Sequence, residues 1–395
     1  MNRPTLEVAD ILRAYGDRFV ERNRWAIPWP QHKVMRAIER CRTAALGKHR
    51  DRCTQCGYDL GFSFNSCRNR HCPKCQTQAR NRWIAARTRD LVPVGYFHVV
   101  FTVPQQLSPL MLQNKRVLYE LLFRSAAATL LEVAADPKYL GAEIGFLAVL
   151  HTWGQTLMHH PHIHCVVPSG GFAPGHTRWV QPKCAGFFLP KQVLSRVFRG
   201  KFIEGMKNLF RRRQLALLGS CQWLREPRSF ARFVHVLHEH HWVVYPKKPF
   251  GGPEHVLHYL ARYTHRVAIS NHRLLAMEDG KVTFRWKDYA HGGKQRKMTL
   301  TAEEFLRRFL LHVLPKGFVR IRHFGWMGNR RRRERAILCR QLLGQNTVTE
   351  ASTSRGDAFA RKCPVCGGAV EVVERIVPRW LSRLRPSRRR GSDTS

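Results

Sequence analysis

The chain has 395 residues, 68 of them Lys or Arg against 27 Asp or Glu, and a formal net charge of +41. An excess of this size binds polyanions by releasing their counterions, so nucleic acid is the expected partner. A membrane or secreted protein is not expected: no apolar run reaches the ~18 residues of a membrane span, and Met1-Asn2-Arg3-Pro4 leads into no signal-peptide core, which places the protein in the cytoplasm.

Residues 5 to 24 carry Leu6, Ile11, Leu12, Tyr15, Phe19 and Val20 at helical spacing, and residues 31 to 46 repeat the pattern with Val34, Met35, Ile38, Cys41, Ala45 and Leu46. Two amphipathic helices therefore precede the first cysteine cluster. Twelve cysteines in a cytoplasmic chain point to metal binding and not to a disulfide framework. Cys53-x2-Cys56 followed by Cys72-x2-Cys75 supplies four thiolates at a separation suited to a zinc ribbon holding a tetrahedral Zn2+. Cys67 and His71 lie inside this cluster and are alternate ligands. A closed four-cysteine site is structural, and the neighbouring Arg68 and Arg70 suit phosphate contacts.

Tyr96 to Val103 is rich in aromatic and β-branched residues and ends at Pro104, as a strand does. A helix follows over 107 to 134, then strands over 144 to 152 and 161 to 167, a helix over 190 to 218, another over 230 to 240, and a strand over 242 to 245. This order predicts an α+β fold with helices packed on one face of a sheet. Within the third strand His160-Pro-His162-Ile-His164-Cys-Val-Val167 alternates, so His162 and His164 leave the same face. Two neutral imidazoles on a rigid strand can share one metal ion; the plainer alternative is a His-rich edge strand that binds nothing.

Pro253 suits the first turn of a further helix. At about 100° per residue, His255, Tyr259, Arg262, Tyr263 and Arg266 fall on one side, with His258 and His265 at its margin and Val256, Leu257, Leu260 and Ala261 opposite. Two phenols one turn apart beside arginines form a nucleophile array better than a packing stripe. Lys281 to Lys287 alternates as a strand with a basic side, and Thr301-Ala-Glu-Glu304 is a capping box opening a helix that stops before Pro315. Arg330, Arg331, Arg332 and Arg333 form a like-charged run that repels itself unless an anion neutralises it. Residues 346 to 358 read as a linker, Cys363-x2-Cys366 as a lone knuckle, and Arg388 to Arg390 as part of a disordered tail. The expected partition is 1–92, 93–270, 271–345 and 346–395.

Paired histidines on a strand with a Tyr-x3-Tyr helix downstream resemble the HUH superfamily of single-strand endonucleases. With Ser66 to Gln76, Phe97 to Pro104, His159 to Gly171, Tyr259 to Arg266 and Leu314 to Arg322, the chain to about residue 345 resembles the rolling-circle transposases of the insertion sequence ninety-one family. The resemblance implies an antiparallel-sheet endonuclease domain behind a helical and zinc-ribbon module. It implies His162 and His164 as metal ligands, Tyr259 and Tyr263 as nucleophiles forming 5′-phosphotyrosines, and Mg2+ or Mn2+ as the catalytic ion, imidazole ligands favouring Mn2+. The third ligand is unmarked; His255 is the first candidate, ahead of His258 and His265. Single-stranded DNA at transposon ends and target DNA are the implied partners, bound in part by Arg262, Arg266, Arg68, Arg70, Arg330 and Arg331, with no membrane, a place at the bacterial nucleoid and no oligomeric state specified. Two other classes compete. A non-catalytic zinc-module DNA-binding regulator leaves the histidines and tyrosines idle. A histidine-triad hydrolase uses His160 as nucleophile and needs no metal.

Overall fold

The computed structural model describes residues 4–76, 81, 83–84, 91–184, 186, 188–250, 268–344 and 361–378. In chain order the strands are β1 (Lys48–Cys53), β2 (Asp59–Phe64), β3 (Tyr96–Thr102), β4 (Gly145–Trp153), β5 (His159–Pro168), β6 (Gly171–Phe172), β7 (Trp179–Val180), β8 (Val244–Phe250), β9 (Leu274–Glu278), β10 (Lys281–Asp288), β11 (Lys294–Thr301), β12 (Ile321–Gly325) and β13 (Val370–Ile376). The central sheet has the order β12-β4-β5-β3-β8, and each neighbouring pair is antiparallel.

The two-residue period of the strands divides this sheet into unlike faces. Phe97, Val99 and Phe101 of β3, Phe146, Ala148 and Leu150 of β4, and Ile163, Cys165 and Val167 of β5 enter one core with Leu118, Leu122, Phe198 and Phe202. Those last four residues lie on the helices Lys115–Ala135 and Lys191–Arg211, so the helices cover one face, as the sequence predicts. On the other face Tyr96, Leu147, Val149 and Val166 pack with Trp179 and Trp326, and the histidines of β5 project beyond them.

Several elements depart from the sequence reading. The helix expected over 107 to 134 is interrupted at Asn114, whose side-chain amide donates to the Leu110 carbonyl at 3.0 Å and the Ala216 carbonyl at 2.8 Å. The helix expected to reach residue 218 ends at Arg211. β8 starts two residues later than expected and runs through Pro246; it is an edge strand, where a missing N–H costs no internal ladder bond. Ile321–Gly325, which the sequence reading assigns to no strand, pairs with β4 as the opposite edge. Half of the expected capping box is present: the Thr301 hydroxyl accepts from the Glu304 N–H at 3.2 Å and opens the helix Ala302–Leu311, while the Glu304 carboxylate accepts from Arg307 and Arg308.

Three contacts cross the boundaries expected from the linear order. The helices Val8–Arg22 and Trp29–Glu39 share a core with Leu274, Val282 and Phe284 and with Phe305, Leu306 and Phe309. β12 joins the central sheet from beyond residue 270. β13, from beyond the linker, pairs with β1 in a three-stranded sheet of order β13-β1-β2. Among the described residues no helix is long and apolar enough to cross a membrane.

Trp242 is 1% exposed, donates its indole N–H to the Leu237 carbonyl at 2.9 Å and lies 5.3 Å from the rings of both Phe198 and Phe202. Trp242→Ala therefore lowers the unfolding free energy by about 3–5 kcal/mol, and Thr301→Ala by about 1 kcal/mol, in chemical denaturation. Equal losses in the two variants would contradict this assignment of core and cap.

Candidate metal centres

The central sheet assembles a three-histidine group on the face opposite the helices Lys115–Ala135 and Lys191–Arg211. The period of β5 puts His162 and His164 on one side, and its antiparallel register with β4 sets His151 directly opposite His162. His151, His162 and His164 each offer a ring nitrogen, and these atoms all lie within 4.8 Å of one another. Two of the rings are oriented by hydrogen bonds. His162 Nδ1 donates to the His160 carbonyl at 2.7 Å, which directs Nε2 towards a metal. His164 Nδ1 is bonded at 2.7 Å to Nε2 of the fully buried His98 on β3, with the two rings parallel to within 1°. His151 stacks on Trp153 at 4.6 Å. Burial lowers the His162 pKa to about 4, so its imidazole is neutral near pH 7 and its lone pair is available.

Tyr259, Tyr263, His255, Arg262 and Arg266 lie outside the described residues. The third corner of the histidine group is taken by His151, which the sequence reading did not single out, as it did not single out His98. Both stand on segments read correctly as strands. What could have found them is a strand pairing that places residue 151 beside residue 162, and pairing is not written in local periodicity.

Other histidines nearby have structural partners. His159, on the helix-covered side, is bonded to Ser108 Oγ at 2.6 Å and to the Tyr119 hydroxyl at 2.8 Å. His312 donates Nε2–H to the Leu157 carbonyl at 3.0 Å and pairs Nδ1 with Thr152 Oγ1 at 3.1 Å. Desolvation pushes His159 down to about 2 and His312 down to about 3. His160 serves through its carbonyl, and its ring is not in the three-histidine group.

The cysteines do not divide as their spacing suggests. Cys53 and Cys56 fall in a different group from Cys72 and Cys75, so the expected set of four is not brought together. Cys72 and Cys75 are joined by Cys67, one of the alternates, and by Cys41 from the end of the second helix; Sγ of Cys75 lies 3.5 Å from that of Cys41 and 3.6 Å from that of Cys67. A Zn2+ with bonds of ~2.3 Å to four thiolates sets their spacing at ~3.8 Å, so this group fits a structural zinc. His71, the other alternate, is committed elsewhere: Nε2 accepts from the Leu314 N–H at 3.1 Å, and Nδ1 faces Asn69 Oδ1 at 3.2 Å. The physical reason for the regrouping is that β1 and β2 form a hairpin whose turn carries Cys53 and Cys56 away from the helix-packed Cys72. That hairpin turn meets Cys363 and Cys366 instead.

The basic residues also sort into two kinds. Arg70 is a clamp, donating to the carbonyls of Phe318 at 2.6 Å and Pro315 at 2.9 Å. Arg322 forms a two-pronged pair with Glu120 at 2.6 and 2.7 Å and lies over the Phe123 ring. Arg68, Arg330 and Arg331 are exposed, the last two at the entry to the helix Arg332–Leu342, where peptide dipoles add to their positive charge.

A family model described as "Putative transposase" matches residues 145–335, and one described as "Transposase zinc-binding domain" matches residues 11–103. The chain is 51% identical over 377 residues to "Putative transposase y4qJ" of Sinorhizobium fredii, covering 93% of this chain and 94% of that protein. It is 29% identical over 296 residues to "Transposase for insertion sequence element IS801" of Pseudomonas savastanoi pv. phaseolicola, covering 73% of this chain and 68% of that protein. No solved structure matches the chain. The first matched region contains all three clustered histidines, and the second contains Cys41, Cys67, Cys72 and Cys75.

The Cys41 ligand set is checked by metal analysis of folded variants: Cys41→Ser loses one equivalent of zinc, whereas His71→Asn keeps it. Loss of zinc from the His71 variant alone would restore the original alternate. A second expectation concerns acid. His312 is neutral in the fold but takes up a proton in the unfolded chain below about 6.5, so its contribution to stability is present above that pH and is lost as the pH falls from about 6.5 towards 3. The unfolding free energy of His312→Gln should therefore depend less steeply on pH between 6.5 and 4 than that of the parent chain, and an unchanged slope would refute it.

Proposed function

Because the chain belongs to the insertion sequence ninety-one family of transposases, proteins that cut and join DNA, we propose that it does so by metal-assisted transesterification of single-stranded DNA through tyrosine nucleophiles. The observation that carries this reading is the group His151, His162 and His164, three imidazole nitrogens within 4.8 Å of one another on the sheet face opposite the helices Lys115–Ala135 and Lys191–Arg211. Its donor set fits a divalent first-row ion, Mn2+ better than Mg2+. Bound there, such an ion supplies Lewis-acid polarisation of the scissile phosphate.

The chain's own residues supply the rest. The His160 carbonyl and His98 fix the rings of His162 and His164 in the ligating orientation. The phenolic oxygen of Tyr259 or Tyr263 attacks phosphorus, the bond from phosphorus to the 3′-oxygen breaks, and the phenolic proton ends on the departing 3′-hydroxyl. A free phenol has a pKa near ~10, so the adjacent Arg262 and Arg266 assist by favouring the phenolate. The phosphodiester energy is retained in a 5′-phosphotyrosine, from which attack by a 3′-hydroxyl rejoins DNA and releases the tyrosine. A second tyrosine permits a second cleavage while the first strand end is still held, as rolling-circle transposition of a single strand into a target requires. The excess of positive charge and the exposed Arg68, Arg330 and Arg331 hold the DNA backbone.

The test is covalent adduct formation with an oligonucleotide carrying a transposon-end sequence. Tyr259→Phe combined with Tyr263→Phe abolishes the adduct. His151→Ala lowers its rate at least 100-fold, and His98→Ala lowers it about 10- to 100-fold with rescue by raised Mn2+. His160→Ala leaves it near the parent rate. An adduct from the double tyrosine variant, or chelator-resistant activity dependent on the His160 ring, would sink the proposal.

A further inference from the structure

We propose that Cys53, Cys56, Cys363 and Cys366 bind a second Zn2+, separate from that of Cys41, Cys67, Cys72 and Cys75, and that this ion clasps the far end of the chain to its N-terminal module. The inference does not depend on the catalytic reading. The four sulfurs lie within 4.8 Å of one another, with Cys53 Sγ 3.5 Å from Cys366 Sγ and Cys56 Sγ 3.6 Å from Cys363 Sγ. These separations suit the edges of a tetrahedron around zinc and are far from a disulfide, which needs ~2.05 Å. All four cysteines are free.

The two knuckles are built alike. Each is Cys-x2-Cys-Gly, with Gly57 at φ +70° and Gly367 at φ +72°, left-handed positions that let the chain turn back immediately after the second ligand. In each, backbone N–H groups point at sulfur: Gln55 and Cys56 donate to Cys53 Sγ at 3.4 and 3.5 Å, and Gly368 donates to Cys366 Sγ at 3.4 Å. Such donors stabilise thiolate, the form zinc binds and the form that four adjacent cysteines cannot all adopt without a cation. Backbone contacts bring the knuckles together, because the Thr54 N–H donates to the Ala369 carbonyl at 3.0 Å and Cys53 is in register with Val370.

Hydrophobic packing gives no competing reason for the cluster. Cys56 and Cys366 are exposed. Every residue of β13 after Val370 is exposed as well, including Val372, Val373 and Ile376. A strand with so little buried side chain gains little from the hydrophobic effect, so a metal ion can add substantially to the backbone pairing with β1 and the Arg361–Asp51 ion pair at 2.9 Å that also hold it. The clasp is made between positions near 55 and near 365, so the ribbon cannot be completed until almost the whole chain is made.

The full chain should carry two zinc ions by metal analysis, and Cys363→Ser combined with Cys366→Ser should carry one. The same pair of substitutions should speed tryptic cleavage after Arg361, Lys362 and Arg375 at least 10-fold while leaving cleavage within β3 to β5 unchanged. Equal zinc in the parent chain and the double variant overturns the proposal. Should the double variant not fold, the parent chain loaded with 113Cd decides: two four-thiolate resonances are expected, and a single one overturns the second site.

Discussion

The three-histidine group depends on the pairing of β5 between β3 and β4. The two-residue period is strict, so a slip of one residue would exchange Ile163, Cys165 and Val167 with His162, His164 and Val166, placing imidazoles in the apolar core under the helices Lys115–Ala135 and Lys191–Arg211 and the apolar set on the histidine face. The large apolar contact with the helices Lys115–Ala135 and Lys191–Arg211 therefore fixes the register. Once the register is fixed, His151 is delivered to His162 and His98 to His164. The site is in this sense a consequence of the core on the opposite face.

The electrostatics follow the same division. Imidazoles withdrawn from water stay neutral, as His159, His162 and His312 do, and a neutral ring can either accept a hydrogen bond or ligate a metal. What each does is decided by its partners: Ser108 and Tyr119 claim His159, Thr152 and the Leu157 carbonyl claim His312, and the His160 carbonyl leaves Nε2 of His162 for a ligand role. The many arginines divide too. Arg70 and Arg322 hold the zinc module and the edge strand in place as well as adding to the positive charge.

Distant segments are joined by two different forces. The N-terminal helices reach residues 268 to 313 through a continuous apolar core, which needs only that hydrophobic faces meet. β13 reaches β1 with its side chains largely in water, which leaves backbone pairing and the cysteine knuckles to hold it. The first junction is built by apolar area and the second by backbone pairing together with the proposed coordination.

The sequence by itself determined the elements and the chemical inventory. Aromatic and β-branched composition marked β3, alternation marked β5 and β10, the Thr301 cap opened its helix where expected, and the motifs pointed to the family that the comparisons support. These signals are local, arising from side-chain period and capping chemistry within a few residues. Tertiary structure decided which residues meet. His151 completed the histidine group, Cys41 replaced His71 and the Cys53 pair beside Cys72, and the knuckle at Cys363 that looked solitary found its match more than three hundred residues earlier. Ligand spacing along a chain says which residues can bind a metal, whereas strand register and hairpin direction say which of them share one, and those are settled only when the apolar faces pack.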